Sequence, residues 1–302
     1  MSLSTDVKSE LWDIYPKSIH CRIAELAGYI SVNGRYESSD RVLIIRTEND
    51  DIEKKIRKLV YMTTDIRSDD MISVNEKRHH RKLLINDTEV QDKLFSRLKL
   101  RVHDRFLISS SLVTERSCCK SSYLRGVFEA GGSLGSPEKS YQMEISVKST
   151  ENADHVKDIT DALGISAGML ARGERYIIYS KDGDAISEML GIIGAALSMM
   201  EFENVRILKD IRNSVNREVN CDTANMAKVA GAASRQIEDI KLIEKKAGLD
   251  TLPENLREIA EIRIKYPYLS LKELGEQLDR PISKSAINHR LRKLSEYADR
   301  LR

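Results

Sequence analysis

The sequence predicts an α+β protein: a pseudo-two-fold domain of duplicated αβ halves, then an all-α helix-turn-helix domain. Three observations predict it. A nine-residue stretch with internal glycines occurs twice, at Leu26–Gly34 (LAGYISVNG) and Leu124–Gly132 (LRGVFEAGG). Each copy is followed by strand-like and helix-like runs at nearly matching offsets. Beyond Phe202 the β-branched runs stop, and helical spacing persists almost to the end of the chain.

The glycines are the first clue to packing. Gly28 and Gly126 fall inside helical patterns running through Ile19–Ile30 and Tyr123–Ala130. A glycine there costs about 1 kcal/mol relative to alanine. A close approach of the two helices is the expected compensation, with the pair forming the axis of the duplicated domain. After the first copy come a β-branched run, Arg41–Thr47, and a helical pattern over Asp50–Tyr61. After the second come Tyr141–Lys148 and Ala153–Leu163. Further along, Arg81–Asn86 leads into Thr88–Leu98, as Arg175–Ser180 leads into Asp184–Ile193. Both halves therefore read helix, strand, helix, strand, strand, helix, the signature of an internal repeat.

The remaining segments follow from local chemistry. Residues 1–18 are expected to form a short helix, with Trp12 as its core anchor. His79 and His80 stand between two strand-like runs, which reads as a hairpin turn rather than a metal site. Residues 99–120, with serines at 109–111 and 117, are expected to cross irregularly between the halves; Lys99, Arg101 and Arg105 read as a solvated face or a phosphate contact, the former favoured because charge runs usually decorate surfaces. The serine-containing stretch Ser133–Ser140 reads as a loop. Val205–Val219 reads as a helix carrying Arg206, Lys209, Arg212 and Arg217. Asp222 is expected to cap a second helix, Thr223–Ala247, stopped by Gly248 with lysines in its last turn. These readings divide the chain into residues 1–117 and 118–201 for the halves, 202–250 for connecting helices and 251–302 for the terminal domain.

Composition narrows the function classes. The chain has 302 residues and a formal net charge of +2. No apolar run approaches the ~20 residues of a membrane helix, and the N-terminus has no apolar signal segment. Four cysteines (Cys21, Cys118, Cys119, Cys221) do not make a disulfide framework. Adjacent Cys118 and Cys119 lack the two to four intervening residues of a zinc pair. The expectation is a cytoplasmic protein with reduced thiols and no metal, cofactor, small-molecule substrate or membrane partner.

The sharpest local chemistry lies at the C-terminus. Pro253–Tyr266 reads as one helix, stopped by Pro267. Ser270 with Glu273 makes a capping box for a helix over Leu271–Leu278, and Leu269 with Leu274 a hydrophobic staple. Ser283 caps the next helix, where Ile282 and Ile287 repeat the staple. Two capped helices across a tight turn, preceded by a third, match the helix-turn-helix layout. On the last helix Ile287, Leu291 and Leu294 share a face. The other side carries Ser285, Asn288, His289, Arg292 and Lys293, with Lys284 and Arg290 on the flanks, and no acid between Ser283 and Leu294. Arginine and asparagine form paired hydrogen bonds to guanine and adenine edges; serine and lysine near the helix start suit phosphates. From Pro253 to Arg302 there are 11 Lys/Arg against 8 Asp/Glu, so basic charge gathers here. Double-stranded DNA is the expected partner.

The repeated stretch resembles the motif of the LAGLIDADG homing endonucleases. In that family the eighth position of each copy is an acid, and the two acids hold divalent metal over a scissile phosphate. Here the eighth positions are Asn33 and Gly131, neither of them an anionic ligand for a hard cation. The sixth positions are Ser31 and Glu129.

The whole chain resembles the WhiA family, which joins a degenerate LAGLIDADG domain to a helix-turn-helix. The match is carried by Ala24–Gly28 (AELAG), Tyr123–Ser133 (YLRGVFEAGGS), Val215–Asn225 (VNREVNCDTAN), Arg235–Ile240 (RQIEDI) and Leu252–Ile262 (LPENLREIAEI). The most specific stretch is Leu271–Leu294 (LKELGEQLDRPISKSAINHRLRKL). The resemblance implies sequence-specific DNA binding, a role in cell division, chromosome segregation or (in spore formers) sporulation, a regulatory protein partner in some bacteria, and no nuclease activity. Two rival readings remain: a nuclease using Glu129 or Glu37 as unconventional ligands, and a protein-interaction adaptor without a DNA role.

Overall fold

Each motif helix runs directly into a strand, because the glycine at its end is extended rather than left-handed. Gly34 has φ −82° and ψ 146°, and Gly132 has φ −77° and ψ 148°. The computed structural model describes residues 3–75 and 81–302, so the expected turn at His79–His80 lies outside the described residues. It separates into two units, Met1–Asp210 and Ile211–Arg302.

The first unit begins with α1 (Leu3–Trp12). The first half then runs α2 (Ile19–Asn33), β1 (Gly34–Glu37), β2 (Val42–Thr47), α3 (Asp50–Thr64), β3 (Ile72–Asn75), β4 (Arg81–Ile85), α4 (Thr88–Leu98), β5 (Leu100–His103) and β6 (Phe106–Ser109). The second half runs α5 (Ser117–Gly131), β7 (Gly132–Leu134), β8 (Met143–Val147), α6 (Thr150–Ala162), β9 (Gly168–Arg172), β10 (Arg175–Ser180) and α7 (Gly183–Ile193). All pairings are antiparallel among the described residues, in the orders β3-β4-β2-β1-β6-β5 and β7-β8-β10-β9. The register repeats as well: Gly34 pairs with Ile45, and Gly132 with Ile145.

Side-chain alternation sets which sheet face is covered. Leu43, Ile45 and Thr47 of β2, and Met143, Ile145 and Val147 of β8, are buried. The opposite face of these strands carries Arg46, Glu144 and Ser146. The axis of the core is the α2–α5 pair. A Cβ on Gly28 would fall on the carbonyl oxygen of Tyr123, and one on Gly126 on that of Glu25. Gly126 follows Gly28 by 98 residues, and Tyr123 follows Glu25 by the same 98, so the two contacts are equivalent across the pseudo-two-fold.

Three local expectations are corrected. Residues 99–120 are not an irregular crossing: they include the β5–β6 hairpin, with Asp104 left-handed at its turn. Four residue pairs between β5 and β6, with Arg35 of β1 against Phe106, supply there what β propensity alone does not signal. The stretch Ser133–Ser140 is not wholly a loop, since its first two residues belong to β7. Finally, α8 is one continuous helix, Ala196–Lys246, across the supposed joint at Asp222. A capping residue ends nothing without a breaker, and between Val205 and Lys246 only Gly231 weakens the helix. Trp12 does pack on the core, but only partly; Val7 and Leu11 of α1 are the fully buried anchors.

In the second unit, α9 (Glu254–Lys265), α10 (Leu271–Glu276) and α11 (Lys284–Leu301) enclose their own core with Ile240 and Ile243 of α8.

Candidate nucleic-acid interface

The cap chemistry of the terminal helices is realised in full. Glu273 N donates to Ser270 Oγ at 3.3 Å, and Ser270 N donates to Glu273 Oε2 at 2.8 Å, closing the capping box. These bonds hold the Glu273 carboxyl below the usual range. At α11, Ala286 N donates to Ser283 Oγ at 3.3 Å. α10 is shorter than expected, ending at Glu276 rather than Leu278. The tight crossing requires Gly275, because a Cβ there would collide with the carbonyl of Ile282. Arg263 fixes the other side of the turn by donating from Nη1 to Leu269 O at 2.8 Å.

α11 is divided cleanly by burial. Ile287, Leu291, Leu294 and Ala298 are buried against α9 and α10. Ser283, Lys284, Ser285, Asn288, His289, Arg292 and Lys293 are exposed. Ser283, Lys284, Ser285 and Asn288 also border a shallow pocket shared with Leu271, at the N-terminal end of α11. Arg290 differs from the rest. It is half-buried, with Nη1 3.4 Å from Asn255 O and 4.0 Å from Glu258 Oε2, so it ties α11 to α9. Arg292 is 78 % exposed and, among the described residues, paired only with Glu296, one turn further along, at 3.3 Å. Such exposed pairs are worth about 0.3–0.5 kcal/mol, little obstacle to a new partner.

The ends of the two motif helices make a second feature, within the first unit. Asn33 Nδ2 donates to Ala130 O at 3.1 Å, which fastens one helix end to the other. Gly131 has no space for a side chain: a Cβ would meet Ser146 O at 2.5 Å and Val32 Cγ1 at 3.0 Å. Both positions open onto a cleft of about 440 Å³ whose wall includes Lys8, Arg46, Lys148 and Arg175. Lys8 is paired with Glu48 at 2.7 Å. Burial, together with Arg46, Arg175, Arg35 and Arg105, pushes the Lys148 ammonium down. These cations come from both sheets, and they repel one another.

Glu129 does not face this cleft. It is fully buried between the motif helices, where Lys55 Nζ lies 2.5 Å from Glu129 Oε1, 2.6 Å from Glu25 Oε1 and 2.8 Å from Leu11 O. Arg125 Nη1 closes the set, 2.9 Å from Glu25 Oε2. Burial raises the Glu129 carboxyl to about 8 against the pull of Lys55. Glu37, the other proposed unconventional ligand, pairs with Arg35 at 2.7 Å on β1.

Comparison with known proteins agrees with both units. The model of the WhiA C-terminal HTH domain matches residues 215–298, and that of the WhiA LAGLIDADG-like domain matches residues 120–212. A probable cell division protein WhiA of Lachnoclostridium phytofermentans is 39 % identical over 312 residues, covering all of both chains. The corresponding protein of Bacillus subtilis is 42 % identical over 313 residues, covering 100 % of this chain and 98 % of its own. The crystal structure of full-length DUF199/WhiA from Thermotoga maritima aligns with TM-score 0.59 and 25 % identity over 99 % of this chain and 98 % of that one.

The chain belongs to the WhiA family.

Within the WhiA frame, the structure also shows what sequence reading missed. Arg206 and Lys209 are not free for a ligand. Arg206 pairs with Asp184 and with Glu203, and Lys209 donates to Pro137 O and sits over the Tyr141 ring. They fasten α8 to the second half of the WhiA LAGLIDADG-like domain. Lys148, Arg46 and Arg175 were not singled out, although each follows or sits on a strand at an outward position. The signal was the alternation of β2, β8 and β10, which puts every second residue on the uncovered face.

Proposed function

We propose that this WhiA-family protein is a sequence-specific DNA-binding regulator without nuclease activity. The observation that carries the reading is the exposed face of α11 from Ser283 to Lys293, which carries no acid, while the opposite face is locked into the core. Arg292, Asn288, Ser285 and His289 address base edges in the major groove, and Lys284, Lys293 and Ser283 the phosphates. Arg290 acts through α9, as a residue that positions the helix. Ser270 acts likewise, through the cap on α10. The relatives' name supports a role in cell division. Chromosome segregation, sporulation in spore formers, and a regulatory protein partner are the finer parts of this proposal. Among the described residues, no helix is long and apolar enough to cross a membrane, in keeping with action on the nucleoid. The domain limits proposed are 1–117, 118–201, 202–250 and 251–302.

The loss of cutting rests on electrostatics as well as on missing ligands. A divalent cation entering the cleft at Asn33 and Gly131 would find no carboxylate at either motif position, an acid on the wall, Glu48, already paired with Lys8, and several like charges around it. The same cations suit a phosphate backbone, whose negative charge relieves their repulsion. Glu129 is committed to Lys55, so it is no substitute ligand.

Two measurements test the reading. Selection from random duplexes by the full chain should yield a preferred site, and Arg292→Ala should weaken binding to it by about 1–3 kcal/mol while relaxing base preference. Unchanged affinity and selectivity in that variant would remove α11 from the groove. Incubation of the selected duplex with magnesium or manganese should leave it intact; nicks absent from a chelator control would restore the nuclease reading. Affinity should also fall steeply with salt, and a chain that shifts no duplex at low salt would be an adaptor.

A further inference from the structure

Three of the four cysteines gather with a histidine at the start of the motif helices, far from the cleft at their ends. His20 and Cys21 occupy the first turn of α2, and Cys118 and Cys119 the first turn of α5. His20 Nδ1 lies 3.2 Å from Cys119 Sγ and 3.3 Å from Cys21 Sγ. One ligand atom from each of the four residues falls within 4.8 Å of all the others. We propose that His20, Cys21, Cys118 and Cys119 form a structural Zn²⁺ site that clasps the two motif helices together.

The geometry favours a metal over the two bland alternatives. Zinc bonded at about 2.3 Å to sulfur and 2.0–2.1 Å to imidazole nitrogen sets tetrahedral ligands roughly 3.5–3.8 Å apart. The four atoms need shift by only about 1 Å to reach that arrangement, within the reach of side-chain rotation. Three thiols and one imidazole are a known closed ligand set for structural zinc, and soft sulfur ligands select zinc over the hard cations. A disulfide between two of the thiols would leave the imidazole and the third thiol without a purpose. Ordinary packing would not converge four donors, three of them from so small a cysteine complement.

The duplication explains why the sequence hides the site. Each half supplies only two of the four ligands, so neither His20–Cys21 nor Cys118–Cys119 can close a structural zinc site by itself. The spacing argument against a zinc pair is correct within each half. Tertiary structure brings one pair to the other, and it is on this four-residue cluster that the proposed site departs from the expectation of no metal. Cys118 follows His20 by 98 residues, as Cys119 follows Cys21 and Gly126 follows Gly28. The site would thus lie on the pseudo-two-fold axis itself, each half giving two ligands. Access is open as well. His20 and Cys119 border a cleft of about 700 Å³ on the surface of the first unit, and Cys118 is exposed.

The test uses the full chain, purified without chelator or added metal. Elemental analysis should find about one zinc per chain. Exchange with Co²⁺ should give the visible d–d bands of tetrahedral cobalt and a near-ultraviolet thiolate charge-transfer band. Cys119→Ser should abolish the charge-transfer spectrum or the retained zinc. Cys118→Ser removes an exposed ligand, so it should fold and bind the metal at least about tenfold more weakly. Cys221→Ser, outside the cluster, should change neither measurement. Absence of both zinc and the cobalt bands would overturn the proposal. So would bands that persist unchanged in Cys118→Ser, or a Cys21–Cys119 disulfide found by alkylation and mass spectrometry in protein from a reducing cytoplasm.

Discussion

Gly126→Ala is expected to destabilise the first unit by about 3 kcal/mol, although alanine is the better helix former by about 1 kcal/mol. The new methyl would occupy the position of the Glu25 carbonyl oxygen, which belongs to the opposing helix backbone and cannot rotate away. The helices must separate, with loss of packing along the α2–α5 seam; overpacking of a rigid core typically costs 1–3 kcal/mol, occasionally more. Gly28→Ala meets the Tyr123 carbonyl in the same way and should behave alike. Gly231→Ala supplies the contrast. It lies in α8 with nothing within 4 Å of the added carbon, so it should stabilise its helix by up to about 1 kcal/mol. Denaturant midpoints of the three variants decide the matter. An unchanged or raised midpoint for Gly126→Ala would mean that the two backbones do not touch.

Lys55→Met should be comparably damaging, most of all above the pH at which Glu129 ionises. The lysine supplies contacts to Glu25, Glu129 and the Leu11 carbonyl, all within the buried core. Its removal leaves Glu25 paired with Arg125 and leaves Glu129 with no ion pair, only the more distant charge of Arg125. Breaking a buried pair by removing one partner typically costs 3–5 kcal/mol. The loss should be near that range at pH 9 and smaller at pH 6, where Glu129 holds its proton and needs no partner. Lys55→Met with Glu129→Gln should recover much of it.

The parent protein carries a related pH signature. The Glu129 carboxyl stands at about 8 folded, against 4.5 for the free group, chiefly because burial disfavours its charge. Between those values the folded chain binds more protons than the unfolded chain. This group therefore contributes a stability that declines as pH rises from 4.5 to 8, by at most about 1.4 kcal/mol per unit. Glu129→Gln should flatten that slope in urea titrations. An unaltered slope would place the titration elsewhere.

The legible parts of this protein were those whose physics is local. The limits of helix α4 and strand β10, and the caps Ser270 and Ser283, depend on residues within four positions of one another, so they can be read along the chain. The repeated glycines pointed to a close helix pair because no local reason for them existed. The face of α11 was legible because Ile287, Leu291 and Leu294 assign the inward side at helical spacing. Arg290 marks the limit of that reading. Spacing puts it on the flank of that face, but only the position of α9 gives its guanidinium a carbonyl and a carboxylate to reach. Glu129 looked like a spare acid because its partner Lys55 lies 74 residues earlier, on a different element.

The sequence by itself determined the duplication, the missing acids at Asn33 and Gly131, and the capped helix with a basic face, since each is written in neighbouring residues or in a repeat. Tertiary structure alone decided which charges meet. It buried Glu129 beside Lys55, gathered Lys148 with arginines of both sheets, and joined His20 and Cys21 to Cys118 and Cys119. The reason is distance. Coulombic and coordinate bonds act over a few ångströms, and residues some hundred positions apart come that near only after the two halves have folded onto their common axis.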